Sequence, residues 1–203
     1  MYKFSAMIIR MGHREDLLVG AMTCLREKGY ARTTARDIVA ASGTNLGSIG
    51  YHYGSTEALL NAAVLASVDE WGTQLGSAMA AKIDPDAPFL MRFEQYWAAV
   101  LATFEDYRQV WAATFDLLGV AERVPQIRAA VANGLDDGRM AWASLLHGID
   151  PQAEPEKARA VGSLHQALLS GILVQWFIDP GRAPSADDLT GAVRAIAEAV
   201  GSG

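Results

Sequence analysis

Apolar residues recur at three- and four-residue intervals along almost the whole chain, and no stretch alternates as a half-buried strand does. The pattern predicts an all-α protein. Leu17, Leu18, Ala21, Met22 and Leu25 mark a first helix from about Gly12 to Lys28, closed by Gly29 in the left-handed conformation that glycine tolerates. Cys24 falls near that stripe and reads as a small core residue. Thr34 with Asp37 makes a capping box that opens a second helix, with Ile38 and Val39 on its buried side and Gly43 at its end. A short third helix follows from about Asn45 to Tyr53, and Ser55 caps a long fourth with the stripe Leu60, Val64, Trp71 and Leu75.

Pro85 and Pro88, Gly119, Asp150-Pro151 and the segment Asp179 to Pro184 interrupt the later pattern. Five further helices carry the stripes Leu90, Phe93, Trp97, Leu101 and Phe104; Val110, Trp111, Phe115 and Leu118; Ile127, Val131, Leu135, Trp142 and Leu146; Val161, Leu164, Leu168, Ile172 and Trp176; and, behind a Ser185–Asp188 capping box, Leu189, Val193, Ile196 and Val200. Two units are expected: residues 1–54, three short helices, and residues 55–203, a larger bundle joined through the fourth helix. Residues 1–11 read as a disordered arm or an effect of start-codon choice, since Met7 and Met11 could each begin the chain.

The 203 residues are 51% hydrophobic and 20% charged, enough to bury a real core. No uninterrupted apolar run approaches the ~18 residues that span a bilayer, the start does not read as a secretory signal, and the single cysteine permits no internal disulfide. A cytoplasmic protein without a membrane partner is therefore expected. The net charge of −6 argues at first against a polyanionic partner, but residues 1–54 hold seven basic against four acidic residues, a surplus of three. The remainder holds ten basic and nineteen acidic, a balance of −9. Such a split points one end at a polyanion and repels it elsewhere.

Helix, glycine turn and short helix from Thr34 to Ser55 make the arrangement of a helix-turn-helix, whose second helix enters the major groove. On a wheel at about 100° per residue, Leu46, Ile49, Gly50 and Tyr53 gather on the side expected to be buried against Leu17, Leu25 and Ile38. Asn45, Ser48, Tyr51 and His52 lie opposite, with Gly47 at the margin and nothing acidic among them. Hydroxyls, an amide, an imidazole and a phenol suit phosphates and base edges. Two glycines inside one short helix, each costing about 1 kcal/mol against alanine, imply a packing or contact reason.

From Gly43 to Leu60 the chain resembles the tetracycline-repressor (TetR) family of regulators, and Leu17-Leu18 through Gly29-Tyr30 and Thr33-Thr34 match its first helix. Residues 170–180 look like its penultimate helix. The resemblance implies that Thr33, Thr34 and Arg36 approach phosphate or an adjacent base, that Asn45, Gly47 and Ser48 meet base edges, and that Tyr51 and His52 hold phosphate, with Thr44 beside them. Two positions depart from the family: Gly50, where tyrosine is frequent, and Thr56, where lysine is usual. Losing that lysine removes about one phosphate contact, although Thr56 still offers its hydroxyl and the N–H groups of a helix N-terminus.

The resemblance further implies a palindromic double-stranded DNA operator, a homodimer and a small apolar effector molecule, so that a repressor would be released from DNA when the effector binds. Candidate effector contacts are Trp97, Leu101, Phe104, Trp111, Phe115, Trp142 and His165, set against their plainer reading as ordinary core; His147 is weighed the same way. The candidate dimer face is Val161, Leu168, Ile172, Leu189, Val193 and Ile196. No metal-ligand spacing, cofactor pattern or nucleophile elbow appears, so neither metal, cofactor nor catalysis is expected. The rival classes are a helical ligand carrier or enzyme with a merely structural helix-turn-helix, and a DNA-binding protein whose body docks another protein.

Overall fold

The computed structural model describes residues 12–201 apart from 83 and 85; the expected N-terminal arm and the interruption at Pro85 lie outside these. Among the described residues there are nine α-helices and no strand. They are α1 (His13–Lys28), α2 (Ala35–Ser42), α3 (Leu46–Tyr53), α4 (Thr56–Ala80), α5 (Phe89–Ala102), α6 (Arg108–Arg123), α7 (Pro125–His147), α8 (Pro155–Ile178) and α9 (Ala186–Gly201), with a 3-10 turn at Tyr30–Arg32. The expected all-α fold is the fold observed.

The caps behave as their side chains dictate. Ser55 accepts from the amide of Ala58, and Ser185 and Asp188 exchange side-chain and backbone hydrogen bonds ahead of α9. Gly43 ends α2 in the left-handed region, at φ 65° and ψ 21°. Gly29 also has positive φ, but its ψ of 167° is extended rather than left-handed helical, which turns the chain sharply into the 3-10 turn. Gly119 does not interrupt anything: it lies inside α6, where neighbouring propensities outweigh the cost of one glycine. Phe104 falls just past α5, in the turn that leads to α6, yet remains buried.

Leu17, Ala21, Cys24, Ile38, Ile49, Leu59, Leu60 and Ala63 form one core beneath α1–α3. Gly20 lets α2 press against α1, since a Cβ there would stand 2.8 Å from Ser42 Cβ and 3.0 Å from the Ile38 carbonyl. The second core gathers Trp71, Leu75 and Met79 of α4 with Phe93, Trp97, Trp142, Leu169 and others from α5–α8. Between them Leu25 of α1 and Val64 of α4 pack on Val110, Ala113 and Leu117 of α6. α4 thus runs through all three clusters as a shared strut.

α8 corrects the expectation about apolar length. It averages a mean hydropathy of 1.3 over an 18-residue window of which 28% is buried, and by length and composition it is long enough to cross a membrane. The average hides Gln166, Ser170 and Gln175, which break the run. Its inner side packs on α7, and its outer side carries the apolar residues considered below.

Candidate nucleic-acid interface

Asp37 fixes the start of α2. Its carboxylate accepts the Thr34 amide at 2.9 Å while the Thr34 hydroxyl accepts the Asp37 amide at 3.3 Å, and the ammonium of Lys28 donates to its other oxygen at 2.5 Å. The ion pair with Lys28, then the bonds from Thr34, hold Asp37 well below the usual carboxylate range and raise Lys28. Removing the cation in Lys28→Met is expected to move the Asp37 titration midpoint upward in a carboxyl NMR titration, leaving it below that of free aspartate because the capping bonds remain; an unchanged midpoint would show that the cap alone sets it.

α3 stands on two supports. Ile49 is buried, and the Tyr53 hydroxyl donates to the Arg14 carbonyl of α1 at 2.8 Å. Asn45 is the N-cap: its side-chain oxygen accepts the Ser48 amide at 3.1 Å. Tyr51 is 86% exposed and meets His52 edge-to-face at 4.9 Å between ring centres. Gly47 is exposed, while Ser48 and His52 are half-buried. The wheel misplaced two positions. Leu46 is 53% exposed and Gly50 is also exposed, because a two-turn helix crossing steeply touches its neighbours only around Ile49 and Tyr53 and lifts its first turn clear.

Along α2, Thr34 and Arg36 are exposed, but Thr33 is turned inward. It is buried, and its hydroxyl donates to the Gly29 carbonyl at 2.8 Å and lies 3.2 Å from that of Cys24, so it ties the turn to α1 and offers nothing outward. Thr44 shares a 2.7 Å hydrogen bond with Ser42, and Thr56 is half-buried in the first turn of α4. The positive end is narrower than residue counting suggests. Lys28 is paired with Asp37 and Arg26 with Glu70 of α4 at 3.5 Å, whereas Arg14, Arg32 and Arg36 have no carboxylate partner among the described residues. Two outward residues that the sequence pattern does not single out are Leu46, which opens the reading helix, and Arg32, beside the Thr34 cap.

The residues singled out in the body converge. Trp97, Phe104, Trp111 and Trp142 share the second core, with Leu101 and Phe115 packed against it. His165 lies buried on Trp142, its ring parallel within 4° at 5.3 Å, and shares a 2.8 Å contact with His147 between Nε2 atoms. Burial, then proximity to His147, lowers His165 to about 4; burial and then Arg92 lower His147. The proposed dimer set divides. Ile172 belongs to the protomer's own core, and Val161 packs on Ala143, Ile149 and Ala158 where α7 meets α8. Leu168, Leu189 and Val193 are half-buried, and Ile196 is exposed. The outward apolar side chains also include Leu164, Val174, Ile178 and Val200, with an open groove between α8 and α9 over Leu164, Leu168, Gly171 and Leu189. Ile172 turned inward because α8 is apolar around most of its circumference, so spacing alone did not distinguish its two sides.

Residues 17–63 match the family model of bacterial regulatory proteins of the tetR family, and residues 91–199 match that of the tetracyclin repressor-like C-terminal domain. The HTH-type transcriptional repressor AcnR of Corynebacterium efficiens is 30% identical over 135 residues, covering 63% of this chain and 68% of that protein. Among solved structures, a Pseudomonas aeruginosa PAO1 protein assigned as a transcriptional regulator superimposes with a TM-score of 0.65 at 19% identity, over 94% of this chain and 90% of that one. The multidrug binding protein EbrR, complexed with imidazole, does so at 0.61 and 22%, over 90% and 88%. At such identities the superpositions establish the fold, and the two family models together span both ends of the chain. The chain belongs to the TetR family of bacterial transcriptional regulators.

Proposed function

We propose that this protein is a repressor that binds a palindromic operator as a homodimer and is released by a small effector lodged in its body. The observation that carries the DNA half is the stance of α3: Ile49 and Tyr53 pin it, while Tyr51, Gly47 and the edges of Ser48 and His52 face outward beside Thr34 and Arg36. In this reading residues up to 54 are the reading head and those beyond it the sensing and dimerising body. Arg36, Thr34, Thr56, Tyr51 and His52 hold phosphates, Ser48 and Gly47 approach base edges, and Leu46 offers an apolar contact suited to a thymine methyl. Asn45 and Thr44 act mainly by shaping the turn, since their side chains are already engaged.

One head reads few base pairs, and a twofold pair would present two to half-sites about 34–36 Å apart or a multiple of that. The exposed Leu164, Ile178 and Ile196, with the half-buried Leu168, Leu189 and Val193 beside them, support a four-helix interface built from α8 and α9 of both copies. The shared strut α4 supports coupling, since it places Trp71, Val64 and Leu60 of one helix in the three clusters that join the body to the head. An effector then acts only through its differential affinity for the two arrangements. A cytoplasmic regulator without catalysis follows from the same reading.

Fragments of the source genome selected on the protein, beginning with DNA beside its gene, supply the operator for a gel shift. The double variant Tyr51→Ala/His52→Ala is expected to weaken operator binding about tenfold, because two hydrogen bonds to phosphate are lost. A carrier or enzyme with a structural helix-turn-helix would retain no duplex at low salt, and that result would remove the reading.

A further inference from the structure

α3 carries no arginine, lysine, glutamine, aspartate or glutamate. It therefore lacks the side chains that form paired hydrogen bonds with guanine, and those that accept from cytosine. Asn45 at its N-cap could in principle pair with adenine, but its side-chain oxygen accepts the Ser48 amide at 3.1 Å, which holds the amide in the cap. Ser48 and His52 are half-buried and Tyr51 is exposed. Each offers single hydrogen bonds, which suit phosphate as well as a base edge. Hydrogen bonding from this helix discriminates poorly among base pairs.

Leu46 is of a different kind. It is the first residue of α3, more than half exposed, and belongs to none of the hydrophobic clusters of the described residues. That much apolar side chain in water is unfavourable, and the N-terminal residues of a reading helix are those that reach base edges. The major groove displays one apolar feature, the C5 methyl group of thymine.

The backbone beside Leu46 is bare. At about 100° per residue, Leu46 and Tyr51 stand roughly 140° apart around α3, with Gly50 and Gly47 between them. At Gly47 a Cβ would stand 3.2 Å from the Asn45 cap oxygen, an internal reason for glycine. At Gly50 no atom of the described residues lies within 4 Å of where a Cβ would stand. Open surroundings alone decide nothing, since Gly119 of α6 has them too. What sets Gly50 apart is its place one turn from Leu46 on the outward arc, where any side chain would hold the helix off the groove floor.

We infer that α3 selects its half-site through a thymine methyl group, with Leu46 as the specificity-determining residue and Gly50 as the positioning residue that lets the helix settle close enough for the contact. This rests on the DNA-binding reading above and narrows the partner to duplexes with a T·A pair beneath the first turn of α3. Burying the leucine against the methyl removes apolar surface of both from water.

The probe is the genomic fragment selected on the full chain, with each half-site thymine replaced singly by deoxyuridine, which removes the methyl and keeps the base pairing. In gel shifts at one fixed salt concentration, one position per half-site is expected to lose about fourfold in affinity, the worth of one buried methyl-sized group. Cytosine at that position should lose the contact, and 5-methylcytosine should recover part of the loss. Leu46→Ala should bind the thymine and deoxyuridine duplexes alike, an effect that a merely structural leucine would not have. Gly50→Ala should melt about 2–4 °C higher, because alanine is the better helix former, yet bind the fragment at least tenfold more weakly. Equal binding of every deoxyuridine duplex, or a Leu46→Ala protein that still prefers thymine, overturns the inference. So does a Gly50→Ala protein that binds as the unaltered one does, or that melts lower and thereby gives the glycine an internal role. Those results leave the regulator reading standing, whereas failure of the unaltered protein to hold any duplex at low salt removes both.

Discussion

Gly162→Ala is expected to destabilise the protein by about 3 kcal/mol and to lower its melting temperature by roughly 6–12 °C. Gly162 is buried where α8 crosses α7, and a methyl group built on it would fall onto the Arg139 backbone carbonyl, with the Arg139 Cα only 2.6 Å away. The obstacle is main chain, so no rotamer change relieves it and the helices must part. Parting them loosens Ala143, Ile149 and Ala158, which form a small cluster at the same contact, and strains the His147–His165 contact nearby in the chain. The same substitution at Gly119 is the control. That residue is exposed inside α6, with no atom of the described residues within 4 Å of where a Cβ would stand, so alanine there should stabilise by about 1 kcal/mol through helix propensity. Far-UV circular dichroism melts of the two variants decide the matter: shifts of opposite sign are expected, the larger at Gly162, and a stable Gly162→Ala would show that the crossing is more yielding than its geometry implies.

That contrast shows what the sequence could and could not disclose. Helices and caps were legible because periodicity and capping chemistry are local, as Thr34–Asp37 and Ser185–Asp188 illustrate. The inward residues of the reading head were legible in part. Ile49 took its expected place, but Leu46 and Gly50 face outward, because a wheel records angle around an axis and not the tilt that carries one end of a helix away from its neighbours. Thr33 fits a DNA-facing role by position and lies inside by geometry, where its hydroxyl serves two carbonyls 4 and 9 residues back. Gly20, Gly119 and Gly162 are indistinguishable in sequence, yet two admit a close neighbour and one meets open space. Ion pairing was equally hidden: Lys28 and Arg26 counted toward a basic end, but each meets a carboxylate, one of them from α4. Long-range pairing carries no local signature.

Between pH 6.5 and about 4 the folded protein is expected to lose about 3 kcal/mol of stability through His165 alone. Burial, reinforced by the neighbouring His147, lowers this imidazole to about 4 in the fold, against an ordinary value of 6.5. A base whose folded value is depressed takes up its proton first in the unfolded chain, so within that interval the unfolded state binds more protons and stability rises with pH. The contribution is complete above the unfolded value, declines as the pH falls below it, and ends near the folded value. At about 1.4 kcal/mol per pH unit, the interval gives the stated magnitude. His147 is shifted in the same direction and adds to the slope. Asp37 and Asp188, held low by hydrogen bonds and in the first case by Lys28, act in a separate window, since their contributions persist until the pH falls below 3.8. Denaturant titrations at half-unit steps from pH 4.5 to 7 isolate the histidine window. His165→Phe retains a flat ring beside Trp142 and removes the titrating nitrogen pair, so its stability should vary much less across those steps, keeping only the share due to His147. If the wild-type curve is level there, or the variant keeps the full slope, the imidazole is solvated by water reaching Nδ1 and burial does not hold it neutral.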